Sequence, residues 1–188
     1  MDSTTILSIF LGIGLAASAG MRVFLPLFAL SLAAWFGLWD LNPNWQWIGS
    51  MPALITLGIA MVLEIFAYYI PFIDNLLDTI AIPLAAIAGT AVMVSTAANL
   101  DPLVTWSLAI IAGGGTAMVV KGASAGSRLT SSVSTAGLGN PVVSTVETGG
   151  AMVMSAASIF VPVLAMILVI IVLIFVYWFY RKLRPRRG

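Results

Sequence analysis

The stretch from Pro162 to Arg187 reads PVLAMILVIIVLIFVYWFYRKLRPRR, and its reading decides the fold class. Nineteen residues, Pro162–Tyr180, pass without a charged side chain. A helix that crosses a bilayer needs roughly 20 apolar residues, so this run is read as a transmembrane helix. Tyr177, Trp178 and Tyr180 end it, and Arg181, Lys182, Arg184, Arg186 and Arg187 follow. Aromatic rings settle at the headgroup layer and basic clusters stay on the cytoplasmic side, which predicts a cytoplasmic C-terminus.

The rest of the chain has the same character. Of 188 residues, 61% are hydrophobic and only 8% are charged, against about 25% charged in soluble domains. Too few polar groups exist to cover a water-facing surface, so the lipid bilayer is the expected solvent and the inner (plasma) membrane the expected location. Further apolar runs cover Ile6–Phe36, Met51–Ile70, Leu76–Ala98, Leu103–Val120 and Val146–Phe160. The first is too long for one straight span and is interrupted by Ala17-Ser18-Ala19-Gly20 and Pro26; Pro162 ends the fifth, because proline removes a backbone donor. The expectation is an all-α integral membrane protein with about six transmembrane helices. Trp39, Trp45 and Trp47 in the loop Gly37–Ser50 suit an interface. Loops 37–50 and 99–102 carry no Lys or Arg and are expected on the far side. Six crossings would return the N-terminus to the cytoplasm. No basic residue precedes the first apolar run, so the N-terminus is read as mature rather than as a cleaved signal.

Neither cysteine nor histidine is present, so disulfides, Cys-His and Ser-His-Asp sites and the usual zinc sets are excluded. No cofactor or metal is expected. The net charge of +1 is lopsided, five of the eight basic residues falling in the last eight positions, and gives no reason to expect a nucleic acid.

The segment Ala17-Ser18-Ala19-Gly20-Met21-Arg22 recurs as Ala123-Ser124-Ala125-Gly126-Ser127-Arg128, five of six positions being identical at a shift of 106. Glu64 follows the first copy and Glu147 the second; Ile82-Pro83-Leu84-Ala85 is matched by Val161-Pro162-Val163-Leu164. Each half reads as helix, small-residue break with Arg, helix with Glu, and Pro-initiated helix. The expected organisation is repeat 1 over 1–98, repeat 2 over 99–180 and a basic tail over 181–188. Three crossings per half would invert one against the other, as in many secondary transporters, and bring the broken or re-entrant segments together near the midplane.

An ionisable side chain at the bilayer centre costs at least about 2.5–3.5 kcal/mol. Arg22, Glu64, Arg128 and Glu147, set in apolar surroundings, therefore read as a functional polar centre, the plain alternative being ion pairs that staple helices. Lys121, near a helix end, is open to snorkelling. Residues 122–141 hold seven Ser or Thr and four Gly. Irregular backbone survives at membrane depth only where protein or water covers it, and its N–H groups and hydroxyls can replace hydration water. Ser124, Ser127, Ser131 and Asn140, with the two arginines, are the expected substrate-binding residues; a cytoplasmic linker is the alternative. Asp74 and Asp78, four apart, share a helix face and are read as helix caps or as a cation site. Gly113-Gly114-Gly115 lacks the Lys-Ser/Thr of a phosphate loop and is read as close helix packing.

These residues carry a resemblance. Gly20-Met21-Arg22-Val23-Phe24-Leu25-Pro26, then Glu64, Ile70-Pro71-Phe72-Ile73-Asp74 with Asp78, and Gly137-Leu138-Gly139-Asn140-Pro141 with Glu147 resemble the pattern of a bacterial multi-pass membrane family known only as a domain of unknown function. Many of its members carry Asp-Lys before the Ile-Pro and a His after it. Here the positions read Tyr68-Tyr69 without His, so no proton relay is expected there. The broad arrangement is similar to that of DedA-type lipid-carrier transporters, which is an analogy of architecture alone.

The leading expectation is a small secondary transporter or flippase for an anionic small molecule or lipid phosphate, with Glu64 and Glu147 as proton-coupling groups. An ion or small-solute channel and a non-transporting scaffold are the alternatives. An enzyme is not expected, and a homodimer suits so small a bundle.

Overall fold

The computed structural model describes residues 2–97, 100–135 and 137–183. The expected repeat boundary at 98–99 and the tail residues Arg184, Arg186 and Arg187 lie outside them. Among the described residues all regular structure is helical: α1 (Ser3–Met21), α2 (Phe24–Trp35), a 3-10 segment (Pro43–Gly49), α3 (Met51–Ala67), α4 (Pro71–Thr96), α5 (Pro102–Leu108), a π-helical segment (Ala109–Gly114), α6 (Gly115–Thr135), α7 (Asn140–Phe160) and α8 (Pro162–Leu183). Five helices are long and apolar enough to cross a membrane, and the 3-10 segment with α3, bent by 64°, makes up to six. The protein is an all-α multi-pass membrane protein.

α1 is the central helix. Its small residues let neighbours come close: a Cβ at Gly12 would meet Met93 and Thr96 of α4, at Gly14 Ser158 of α7 and Ala165 of α8, and at Gly20 the Ala117 carbonyl and Val120 of α6. Without a hydrophobic drive between helices in lipid, such small-residue contacts carry the packing. The glycine run behaves as expected, since a Cβ on Gly113 would stand 2.5 Å from the Gly89 carbonyl of α4. α8 presents Ile170, Ile171, Ile174 and Phe175 outward, as lipid contact requires.

The chain turns at Arg22, whose extended backbone (φ −138°, ψ 124°) ends α1. α2 then doubles back, bringing Leu30 into the same core as Leu11 and Leu15. Gly37, at φ 67°, closes α2, with the Leu38 N–H donating to the Ala33 carbonyl at 2.9 Å; only glycine takes this left-handed cap readily. The tryptophan loop folds over one end of the bundle. Trp39 Nε1 donates to the Ile159 carbonyl at 2.9 Å, and Asn42 donates from its backbone to Ser95 at 2.8 Å and from its side chain to Ala97 at 3.2 Å.

Several expectations change. Ala17–Gly20 is helical and the break falls one step later, at Arg22–Val23. Residues 122–135 are helical too, so no open segment spans 122–141. The hydroxyls are accommodated within the helix, Thr130, Ser134 and Thr135 each donating to the carbonyl four residues back. Pro83 lies inside α4 rather than at a helix head, and α7 begins at Asn140, two turns before Glu147. The two motif helices run parallel, since both are antiparallel to α4: Gly12 lies beside Met93 and Ala19 beside Ala85 and Ala88, while Gly113 lies beside Met93 and Ala117 beside Gly89. α5, the π-helical segment and α6 form one helical run over Pro102–Thr135, the fifth pass of the chain after α1 to α4, so the second motif meets the bundle in the same sense as the first, and the inverted orientation is not seen. α1 and α8 are parallel as well, Gly14 lying beside Ala165 and Ala17 sharing a cluster with Val169. The start of α1 and the end of α8 therefore sit at opposite ends, where six crossings would have put them together.

Candidate functional site

The turn at Arg22–Val23 creates a local demand. The first N–H groups of a helix have no partner within it, and α2 begins without a cap of its own. Glu64 reaches across from α3 and supplies it: Oε1 accepts from the Val23 N–H at 2.7 Å and Oε2 from the Phe24 N–H at 2.9 Å. Both carboxylate oxygens are thereby engaged at the positive end of a helix, where a negative charge is favoured.

Arg22 points the other way, into α7. Nε donates to Thr148 Oγ1 at 2.9 Å, and Nη2 donates to the Ser144 carbonyl at 2.9 Å and to the Ser144 hydroxyl. Nη1 lies 3.8 Å from Glu147 Oε2 and has no hydrogen-bond partner. The Arg22–Glu64 pair suggested by the repeat order is thus not a hydrogen-bonded pair, whereas Arg128–Glu147 is. Arg128 Nε donates to Glu147 Oε1 at 3.1 Å, Nη2 donates to Oε2, and Nη1 donates to Asp74 Oδ1. Ser124 also donates to Glu147. One carboxylate therefore serves two arginines from the two sequence motifs.

A single aromatic ring gathers the cations. Arg22 Cζ lies 4.2 Å from the Tyr68 centroid, Arg128 Cζ 4.5 Å and Lys121 Nζ 5.1 Å. Lys121 Nζ also donates to the Tyr68 hydroxyl at 3.2 Å and stands 3.8 Å from Asp78 Oδ1. With Arg22 0%, Lys121 1% and Arg128 2% exposed, the three are inside the protein, and Lys121 does not snorkel. They are also every Lys or Arg that precedes the tail. Lys121, Ser124 and Arg128 fall at i, i+3 and i+7 of α6, and Ser144, Glu147 and Thr148 at i, i+3 and i+4 of α7, so each set shares one helix face.

The remaining expected residues divide. Asn140 joins the edge of the cluster, donating to Asp74 at 3.3 Å and to Ser132 at 3.1 Å. Ser127 is exposed and donates to its own helix at Ser124; the Ser131 hydroxyl lies beside Gly139. Asp74 is in the first turn of α4, but that helix has no side-chain cap at Ile70, and the Asp74 carboxylate goes to Arg128 and Asn140. Beside Asp74 and Asp78 stand Arg128 and Lys121, and among the described residues no group of three or more acidic side chains is placed to hold a metal ion. Sequence reasoning missed Tyr68, Ser144 and Thr148. The i, i+4 spacings Glu64–Tyr68 and Ser144–Thr148 were the only signal, and they are ordinary in a helix.

No curated protein and no solved structure matches the chain. A family profile matches residues 9–182, a stretch that holds every member of the charged cluster, and the chain belongs to that family, described as Domain of unknown function (DUF4126).

Proposed function

We propose that the protein is a small secondary transporter or flippase for an anionic group, with Arg22 and Arg128 as its binding residues and Glu147 as the group that yields to the substrate. The observation that carries this reading is the sharing of one buried carboxylate by two arginines. Glu147 occupies the place of an anion. A phosphate or carboxylate brings the same charge and the same acceptors for guanidinium forks. Neutralising Glu147 with a proton removes the charge that both arginines share, leaving Arg22 on Ser144 and Thr148 and Arg128 on Asp74, and Nη1 of Arg22 already has no hydrogen-bond partner. Tyr68 suits the exchange, because a ring face attracts cations without consuming their N–H donors. On this reading Glu147 carries the coupling proton. Glu64, expected in the same role, is engaged as the cap of α2. In the channel alternative the Gly/Ser/Thr/Asn-Pro stretch would line a pore with hydroxyls and carbonyls; over 122–135 those carbonyls lie in a helix, which weakens that alternative.

The test is flux in liposomes holding the purified protein, with radiolabelled inorganic phosphate and a fluorescent phosphatidic acid as probes. Wild type is expected to move one of them faster under a proton gradient. Glu147→Gln, which imitates the protonated carboxyl, is expected to move it at a rate independent of the gradient. No movement of either probe, or unchanged gradient dependence in Glu147→Gln, contradicts the proposal. One observation favours the scaffold reading instead: each of the three cations already has a protein partner, which is all that a set of helix staples requires.

A further inference from the structure

We infer that the anion is the head of a lipid, a lipid phosphate in the simplest case, which reaches the cluster sideways from the bilayer through a groove between α3 and α4. The inference rests on the anion-binding reading above and deepens it.

α3 is an outlying helix. It packs on α2 and the 3-10 segment, and of its residues only Ala53 and Glu64 are buried. Its side toward α4 is left open as a groove of about 290 Å³, walled by Ala60, Leu63 and Ala67 from α3 and by Leu77, Ala81 and Leu84 from α4. Alanine stands at three of these six positions, where larger side chains would close the gap. The polar side chains lining the groove are Glu64 and Tyr68. Glu64 is occupied by the α2 terminus, and Tyr68 is the ring against which Arg22, Lys121 and Arg128 lie. Hydrocarbon walls thus lead to Tyr68, and although no arginine or lysine lines the groove itself, an amphiphile lying in it would have its anionic head one ring away from the three cations. A free phosphate ion gains nothing from the walls. A lipid keeps its chain in an apolar medium throughout, so only the desolvation of its head remains for the arginines to offset.

The experiment measures binding to the purified protein in a neutral detergent, with decyl phosphate, inorganic phosphate and 1-decanol as probes. Decyl phosphate is expected to bind at least about ten-fold tighter than either of the others. Ala60→Phe, which fills the groove without touching a charged residue, is expected to weaken decyl phosphate by about ten-fold and to change inorganic phosphate by less than about two-fold; Ala67→Phe serves if that variant does not fold. Inorganic phosphate binding as tightly as decyl phosphate, with no effect of Ala60→Phe, would overturn the lateral route and leave the anion site standing. Decanol binding as tightly as decyl phosphate would overturn the inference by reducing the groove to a greasy surface. Binding by none of the three would remove the lipid and the anion site together.

Discussion

Arg128 illustrates what a buried charge requires. It joins Asp74 of α4 to Glu147 of α7 from a position on α6. Removing one partner of a buried ion pair leaves the other uncompensated, at about 3–5 kcal/mol. Arg128→Ala, which strands two carboxylates, is therefore expected to lower thermal stability in detergent by at least that amount. Arg128→Lys keeps the charge but loses the planar fork, and its melting temperature should fall between the two. Tyr68 separates two contributions. Tyr68→Phe keeps the ring face for the cations and removes the oxygen that Lys121 reaches, a loss of about 1–3 kcal/mol. Tyr68→Leu loses both and should melt lower still; equal melting temperatures would show that the ring contributes nothing. Arg22, Glu64, Arg128 and Glu147 were legible in the sequence because a charge in an apolar run demands an account, whereas Lys121 was open to snorkelling and Asp74 and Asp78 read as caps or a cation site. Their uncharged partners were not legible. Tyr68, Ser144 and Thr148 are unremarkable in a helix, and their partners lie 53, 122 and 126 residues away.

Among the elements, α6 was read least well. Gly, Ser and Thr have low helix propensity, and the stretch from 122 onward looked like open backbone. In the fold its hydroxyls return to the helix's own carbonyls, while Lys121, Ser124 and Arg128 tie one face to its neighbours. Tertiary contacts outweigh propensity there. Two glycines of the helical run Pro102–Thr135, one in the π-helical segment and one in α6, should respond oppositely to alanine. Gly113→Ala places a Cβ against the Gly89 carbonyl, and overpacking of that kind costs about 1–3 kcal/mol. Gly126 faces open space, so Gly126→Ala should stabilise by up to about 1 kcal/mol. Thermal unfolding of both variants checks the contrast, and a stabilised Gly113→Ala would contradict the α4 packing. By comparison α8 was legible almost to the residue, since Pro162 can begin a helix and an uninterrupted apolar run leaves no competing pattern.

For the whole molecule, composition alone gave the solvent and the fold class. The sense of the repeat was not legible, because it depends on whether α2 counts as a crossing. α2 has 12 residues, about 18 Å at 1.5 Å per residue, short of a bilayer core of about 30 Å. It nevertheless reverses the chain, and the parity of the helices after it changes. The bundle predicts that the start of α1 and the end of α8 face opposite sides of the membrane. The chain has no cysteine, so Asp2→Cys and Gly188→Cys can each be labelled with an impermeant maleimide in oriented membranes; labelling of both from one side would contradict the packing of α1 beside α8.

The account stands most directly on whether Glu147 holds a place that an external anion can take. The measurement is the melting temperature of wild type and Glu147→Gln, titrated with inorganic phosphate and with decyl phosphate. A ligand stabilises the folded state in proportion to its occupancy. The account predicts that Glu147→Gln melts lower than wild type without ligand and gains more from at least one of the two anions, because its arginines are no longer shared. A Glu147→Gln protein that melts lower and gains nothing from either anion, beside a wild type equally indifferent, would contradict the account and leave the cluster as a staple between helices.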